Sequence, residues 1–367
     1  MKVCHVTSSH NRYDGRIFQK QLSSLAKKYD CYLICCDNLK DEIKNEVKIV
    51  STNKKLKNVY ERLFFANRIL KKKCLEINAD VYQFHDPELL SLALYMKKLG
   101  KKVIFDSHED YEALFLEREW IPFFLRKILQ KIYIKKEKNI LSKLDLLICA
   151  AEHIKEKLIF YNKNTFTIEN FPILSPKINK INTTNNFICF AGNVDSTWNH
   201  DVVINSISNI KNIKYLIVGN YTSEFLKNIE SLESFYKVEL IGKVPFEEIK
   251  QIYKKSKIGI ALCSYRPNVN FKGGSLGITK IFEYMMYGLP VIFTNFQVFE
   301  KINNEKQFGI AVNPYDAIEV KNAINYLLDN PKLCNKMGNN GRKLVEEKYN
   351  WDILEQRLFK IYLNFEK

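Results

Sequence analysis

Several things are scarce in this 367-residue chain, and each shortage excludes something. The nine cysteines form no C-x-x-C pair, and Cys4, Cys31, Cys35, Cys36, Cys149, Cys189 and Cys263 lie inside apolar runs. Zinc sites need close-spaced ligand pairs, so core thiols in a reducing cytoplasm are expected instead. No run approaches the ~20 apolar residues of a membrane span. The opening MKVCHVTSSHNRYDGR has no apolar stretch of about 7–15 residues behind a basic head, so no secretory signal is expected. The loop after the first strand-like run lacks G-x-G-x-x-G, which counts against an NAD enzyme. No D-x-D cluster stands at a strand end, so no metal is expected, and no cofactor is expected either.

Acid is also in deficit. The chain holds 57 Lys+Arg against 41 Asp+Glu, a net charge of +16. Residues 1–180 carry 34 basic and 22 acidic side chains, and the rest 23 and 19. An excess of +12 against +4 places an anionic partner with the first half: nucleic acid, phospholipid or a phosphorylated substrate. The basic residues lack a helix-turn-helix, zinc or RNP pattern, so nucleic acid is not expected.

What is present is strand–helix alternation, twice over. KVCHVT (2–7), CYLICC (31–36), VYQFH (81–85), VIFDSH (103–108) and DLLICA (145–150) read as buried strands followed by helical patterns, and FTIEN (166–170) is strand-like. After the unpatterned stretch 171–186 the rhythm restarts with FICFAGN, YLIVGN, KVELIG, KIGIALC, LPVIFTN and FGIAV. Near-continuous apolar strands between helices signal parallel sheets covered on both faces. The fold expected is α/β, with two doubly wound Rossmann-like domains at about 1–172 and 185–350. A terminal helix near 351–367 is expected to pack back on the first. Ligands of such sheets bind beyond the carboxyl ends of the strands, so facing domains would make an interdomain cleft.

The richest segment is GGSLGITKIFEYMMYGLPVIFTN, 273–295. Gly273, Gly274 and Gly277 allow close backbone approach just before a helix, whose free N–H groups and dipole suit an anion. Lys280 adds a full charge, and Glu283 follows on the same face, placed to accept from a diol. A plain strand-to-helix turn is the alternative. His108 and His85 each end a strand beside carboxylates, where a hydrogen-bonded structural histidine is the alternative; His5 lies mid-strand and reads as core. Asp14 and Arg16 orient a substrate, or else form an N-cap with a surface arginine.

K-I-F-E-Y-M-x-x-G-x-P-V (280–291) resembles the donor signature of GT-B glycosyltransferases, specifically glycosyltransferase family 4, the former group 1. SHNRYDGRIFQKQLSSLAKKYDCYLI, VYQFHDPELLSL, KKVIFDSHEDY, FAGNVD and FGIAVNP continue the likeness to members that build bacterial polysaccharide. The resemblance implies a nucleotide-sugar donor (UDP-sugar favoured, GDP-sugar second) on the C-terminal domain and an acceptor on the N-terminal one. It further implies retention at the anomeric carbon, with the leaving phosphate accepting the acceptor's proton. It assigns Glu283 to the ribose hydroxyls and Lys280 to the diphosphate, within a loop of Gly274, Ser275, Leu276, Gly277, Ile278 and Thr279. Gly242, Lys243 and Val244 match the nucleobase turn, and His108 the histidine beside the transferred sugar. His10, Asp14, Arg16, His85 and Asp86 fall on the acceptor side. Two departures stand out. Ser275 replaces a frequent glutamate, and the stretch after FAG, beginning Gly192-Asn193, lacks the usual cation, for which Arg266 or Lys272 substitutes. The likeness also implies a polyprenyl-diphosphate-linked or oligosaccharide acceptor, with the product a cell-surface glycan of O-antigen or capsule type. A nucleotide-sugar 2-epimerase of the same fold is the rival enzyme.

Residues 113–143 interleave Trp120, Phe123, Phe124, Leu125, Ile128, Leu129, Ile132 and Tyr133 with Arg126, Lys127, Lys131, Lys135 and Lys136. Such a basic amphipathic helix suits an anionic bilayer. Peripheral attachment to the inner face of the cytoplasmic membrane is one expectation, and an ordinary core-facing helix the other.

Overall fold

The structure, a computed structural model, describes residues 1–117, 121–178 and 185–366. Trp120 and positions 179–184 of the expected linker therefore lie outside the described residues. The chain divides into two compact units: 1–170 with 351–367, and 171–350.

The first unit holds an eight-stranded sheet. In chain order its strands are β1 (Lys2–Val6), β2 (Asp30–Cys35), β3 (Glu42–Lys44), β4 (Val47–Ser51), β5 (Val81–Phe84), β6 (Lys102–Ser107), β7 (Leu146–Cys149) and β8 (Thr165–Thr167). They lie in the order β3-β4-β2-β1-β5-β6-β7-β8, parallel except for β3 against β4. The second unit holds six parallel strands: β9 (Asn186–Ala191), β10 (Ile213–Val218), β11 (Val238–Gly242), β12 (Ser256–Ala261), β13 (Val291–Thr294) and β14 (Gly309–Val312). Their order is β11-β10-β9-β12-β13-β14.

The β3–β4 ribbon was not anticipated. In VKIVS only Val47, Ile49 and Ser51 are buried, a short alternation inside a charged stretch. The second unit also begins earlier than expected, at Phe171 rather than 185. Phe171 packs against Phe282 and Tyr349 with ring centroids 4.9 and 5.4 Å apart, and Arg342 donates to the Ser175 carbonyl at 2.7 Å. Burial of that aromatic fixes the segment to the second unit. The terminal helix Trp351–Leu363 belongs to the first unit, where the Trp351 indole donates to Ser24 Oγ at 2.9 Å.

Each sheet reverses its winding once. In the first unit β2 and β5 flank β1; in the second β10 and β12 flank β9. The loops leaving such a pair of strands diverge and open a crevice at their carboxyl ends. Those loops are 7–16 and 85–86 in one unit, 192–199 and 262–278 in the other.

The two faces of the first sheet differ. Cys4, Val6, Tyr82, Phe84, Val103 and Phe105 join one apolar cluster with Leu70, Leu90, Ile140 and Leu141. The alternate positions carry His5, Gln83 and Asp106, all fully buried on the other face. Register aligns them: His5 pairs with Gln83, and Gln83 with Ile104, two residues before Asp106.

Candidate functional site

In the first unit the expected residues gather, but mostly around one another. Asp106 is the hub. Arg16 clasps it with two bonds, Nε at 3.1 and Nη2 at 2.6 Å, and Gln21 Nε2 donates at 2.8 Å. The remaining donor nitrogen of Arg16 reaches the carbonyls of Ile168 and Glu169 at 2.6 and 3.3 Å. Burial alone would raise the Asp106 pKa, but Arg16 and His108 outweigh it and hold the carboxyl well below its usual range. At 4% exposure, with its guanidinium paired to Asp106, Arg16 is not the surface arginine that one of the two sequence readings expected.

Asp14 does cap the helix that starts at Ile17, accepting from the amides of Arg16 and Ile17 at 2.8 Å each. Its other oxygen faces His10 Nδ1 at 3.4 Å, while His10 Nε2 lies 3.5 Å from Asp86. Burial is the largest single influence on His10 and would lower its pKa; Asp14 and Asp86 reverse that and raise it. His10 therefore holds a proton more readily than a free imidazole. Asp86 is enclosed by donors from the β1 loop: Thr7 Oγ1 at 2.8 Å, the Ser8 amide at 2.7 Å and the Ser9 hydroxyl.

The ring of His10 lies tilted against that of His108, with centroids 4.7 Å apart. His108 Nε2 meets His85 Nδ1 at 3.0 Å, and both face Asp106 Oδ2, at 3.5 and 3.4 Å. Burial is the main reason that His108 is lowered to about 4, so it is neutral near pH 7. His85 continues inward: its Nε2 meets His5 Nδ1 at 3.0 Å, and His5 Nε2 meets the Tyr362 hydroxyl at 3.0 Å. His5, Gln21, Gln83 and Tyr362 escaped the sequence reading as site residues. A usable signal existed for two of them, since His5 and Gln83 are polar residues inside the apolar strands β1 and β5.

His85, Asp106 and His108 could in principle hold a cation, with ligand atoms within 4.8 Å of one another. Both His85 nitrogens are already paired, however, and Asp106 is neutralised by Arg16. No metal is assigned to them.

The second unit is organised differently. Thr279–Met286 forms a helix straight after the glycine loop. The Lys280 ammonium lies 4.3 Å from the Trp198 ring centroid and 5.1 Å from that of Phe190. Among the described residues it has no hydrogen-bond or ion-pair partner. Burial lowers its pKa. Gly192, directly after β9, makes room: a Cβ there would stand 2.2 Å from Lys280 Cε and Nζ. Glu283, half-buried one turn along, accepts from the Tyr253 hydroxyl at 3.3 Å. Burial pushes the Cys263 thiol up to about 11, against the opposing pull of Arg266 and Lys280.

The remaining expected residues also sit at strand ends. Asn193 donates to Asp195 at 2.8 Å. Gly242, at φ 70°, accepts from the Gly219 amide at 2.8 Å and leads into exposed Lys243 and half-buried Val244. Lys272 is exposed, 5.5 Å from the Tyr265 ring centroid. Gly274 adopts φ 78° and packs so closely that a Cβ would meet Phe296 at 2.4 Å. Ser275 is buried and accepts from the Gly277 amide at 3.1 Å, while the Ile278 amide bonds the Ser275 carbonyl at 3.2 Å. Leu276 and Thr279 complete the turn. The Gly277 and Ile278 amides are therefore engaged within the turn, whereas the Lys280 ammonium is not.

No described helix is long and apolar enough to cross a membrane. The helix Phe123–Leu141 buries only Glu137, Ile140 and Leu141. Phe123, Phe124, Ile128 and Ile132 are 80, 74, 54 and 61% exposed, so a core-facing helix describes its last turns alone.

Comparison with known proteins agrees with this layout. The family "Glycosyltransferase Family 4" matches residues 22–171, and "Glycosyl transferases group 1" matches 174–344. An uncharacterized glycosyltransferase of Methanocaldococcus jannaschii is 23% identical over 290 residues, 73% of this chain and 70% of its own. Sucrose-phosphate synthase from Thermosynechococcus elongatus superposes with a TM-score of 0.80 at 14% identity, covering 99% of this chain and 98% of that one. Anabaena HepE in complex with UDP-glucose gives a TM-score of 0.70 at 12% identity, over 99% of this chain and 100% of the other. With two parallel-sheet units and family matches that together span 22–171 and 174–344, the chain belongs to the group 1, family 4 glycosyltransferases of the GT-B fold.

Proposed function

We propose that this glycosyltransferase moves a sugar from a nucleoside diphosphate sugar, UDP-linked first and GDP-linked second, onto a lipid-linked or oligosaccharide acceptor of cell-surface polysaccharide. The observation that carries the reading is Lys280: a desolvated ammonium with aromatic neighbours, no hydrogen bond or ion pair among the described residues, and Glu283 on the same helix face. Breaking a sugar–phosphate bond builds negative charge on the departing diphosphate, and fixed cations usually do most to stabilise such charge. Glu283 accepts from the ribose diol. HepE, in its complexes with UDP and UDP-glucose, is a structural relative that supports the donor class. Retention, with the leaving phosphate receiving the acceptor's proton and no metal taking part, is the mechanism proposed.

Thermal shift with UDP, GDP and their sugars tests the reading. A nucleotide at 100 times its Kd adds about 2.7 kcal/mol of stability. No shift with any nucleotide overturns the proposal. Glu283→Ala should weaken nucleotide binding roughly ten- to hundredfold, the worth of hydrogen bonds to a charged group.

The acceptor side is proposed to work at the inner face of the cytoplasmic membrane, through the exposed Phe123, Phe124, Ile128 and Ile132 and their flanking lysines. Vesicles of anionic lipid at low salt should sediment the protein, and Phe123→Ser with Phe124→Ser should release it. Equal sedimentation of the variant removes this surface from the reading.

A further inference from the structure

We propose that a buried chain of Gln83, Tyr362, His5 and His85 fixes the tautomer of His108, so that its Nδ1 faces the sugar site as a hydrogen-bond acceptor. The role of His108 at the sugar rests on the function proposed above; the tautomer itself does not.

The argument follows the protons outward from a group that can only accept. Asp106 is a carboxylate, and Gln83 Nε2 lies 3.3 Å from its Oδ2 and 2.6 Å from Gln21 Oε1. Those contacts place the amide nitrogen of Gln83, and hence its oxygen, which accepts from the Tyr362 hydroxyl at 2.6 Å. Tyr362 has one proton and has now used it. Its oxygen can only accept from His5 Nε2, which therefore carries hydrogen.

A neutral imidazole has one N–H, so His5 Nδ1 is bare and accepts from His85 Nε2. The same logic leaves His85 Nδ1 bare, accepting from His108 Nε2. His108 is then left with its lone pair on Nδ1. That atom has no hydrogen-bond partner among the described residues, and the side chain stays 12% exposed. Burial keeps His5 and His108 neutral. His85 itself is fully enclosed, with a histidine nitrogen 3.0 Å from each of its own ring nitrogens.

The opposite arrangement competes. With every proton moved, His5 Nδ1–H donates to His85 Nε2, and His85 Nδ1–H to His108 Nε2 and Asp106. His108 then presents Nδ1–H. Asp106, 3.4 Å from His85 Nδ1, favours that state; the Tyr362–Gln83 bond favours the other. His5, His85, Gln83 and Tyr362 are thus positioning residues, acting through His108 rather than on substrate.

Two-bond proton–nitrogen correlation spectra of histidine-labelled full-length protein read which ring nitrogen bears hydrogen. The expected result is Nε2–H at His5, His85 and His108 in the wild type, and Nδ1–H at His108 in Tyr362→Phe. Gln83→Leu frees the Tyr362 proton to donate to His5 and should produce the same reversal if the first variant does not fold. Nδ1–H at His108 in the wild type, or an unchanged pattern in a folded variant, overturns the proposal. In the reversed variant kcat should fall roughly ten- to hundredfold, the cost of facing a hydroxyl with the wrong partner, while UDP affinity stays constant. Reversal without loss of turnover keeps the chain and rejects only the role of His108 at the sugar.

Discussion

The carboxyl edges of the two sheets use polar residues in opposite ways. In the first unit Arg16, Asp106, His85 and His5 satisfy one another inside the fold, and the network continues to the partly exposed His108 and His10. In the second unit Lys280 is desolvated and, though Glu283 and Asp195 favour its charge, it makes no ion pair among the described residues, and Gly192 leaves the space its ammonium occupies. A completed ion pair holds a fold's geometry; an uncompleted one waits for a ligand's charge. The same residue types thus carry different meanings according to whether their charge is matched.

The largest effect expected from breaking this contrast is on stability in the first unit. Asp106→Asn strands a buried guanidinium and should cost about 3–5 kcal/mol in denaturant unfolding. Because the folded-state Asp106 pKa is depressed, the wild-type advantage is full above the ordinary carboxylate range and shrinks as pH falls below about 4. An undiminished advantage at low pH would show that packing, not charge, supports the hub.

Next comes Lys280→Met. It should lower kcat by about 10²–10³-fold, the typical loss for one oxyanion donor. Stability should hold or rise, since a desolvated charge is removed. A large drop in melting temperature would instead make Lys280 a structural residue.

A smaller effect tests whether an unmatched charge in the first unit behaves likewise. Glu137, buried on the helix Phe123–Leu141, has one oxygen without a partner, and burial lifts its pKa to about 8. A raised carboxyl pKa means that stability declines as pH rises from about 4.5 through 8. Glu137→Gln should therefore be neutral in acid and stabilise by on the order of a few kcal/mol at pH 8. Thermal melts of both proteins across that window check it.

Much of this was legible in the chain because its signals are local. Apolar runs alternating with amphipathic ones marked every strand except β3 and β4. K-I-F-E-Y-M behind a glycine loop located Lys280 and Glu283 on one helix, since residues three apart share a face. The short β3–β4 ribbon, whose burial alternates too weakly against its charges, was not legible. The surface alternative for Arg16 failed for a related reason: an arginine beside an aspartate cap looks solvated until its partner, ninety residues away, is known.

The sequence by itself thus determined two parallel α/β units, the family and the cation–carboxylate helix of the second unit, because periodicity and short motifs need no distant information. Only the tertiary structure decided which charges are matched. Arg16 meets Asp106, and Tyr362 from the terminal helix meets His5, through strand register and helix packing. The chemistry of a buried polar group depends on its partner, and no local stretch of sequence contains both.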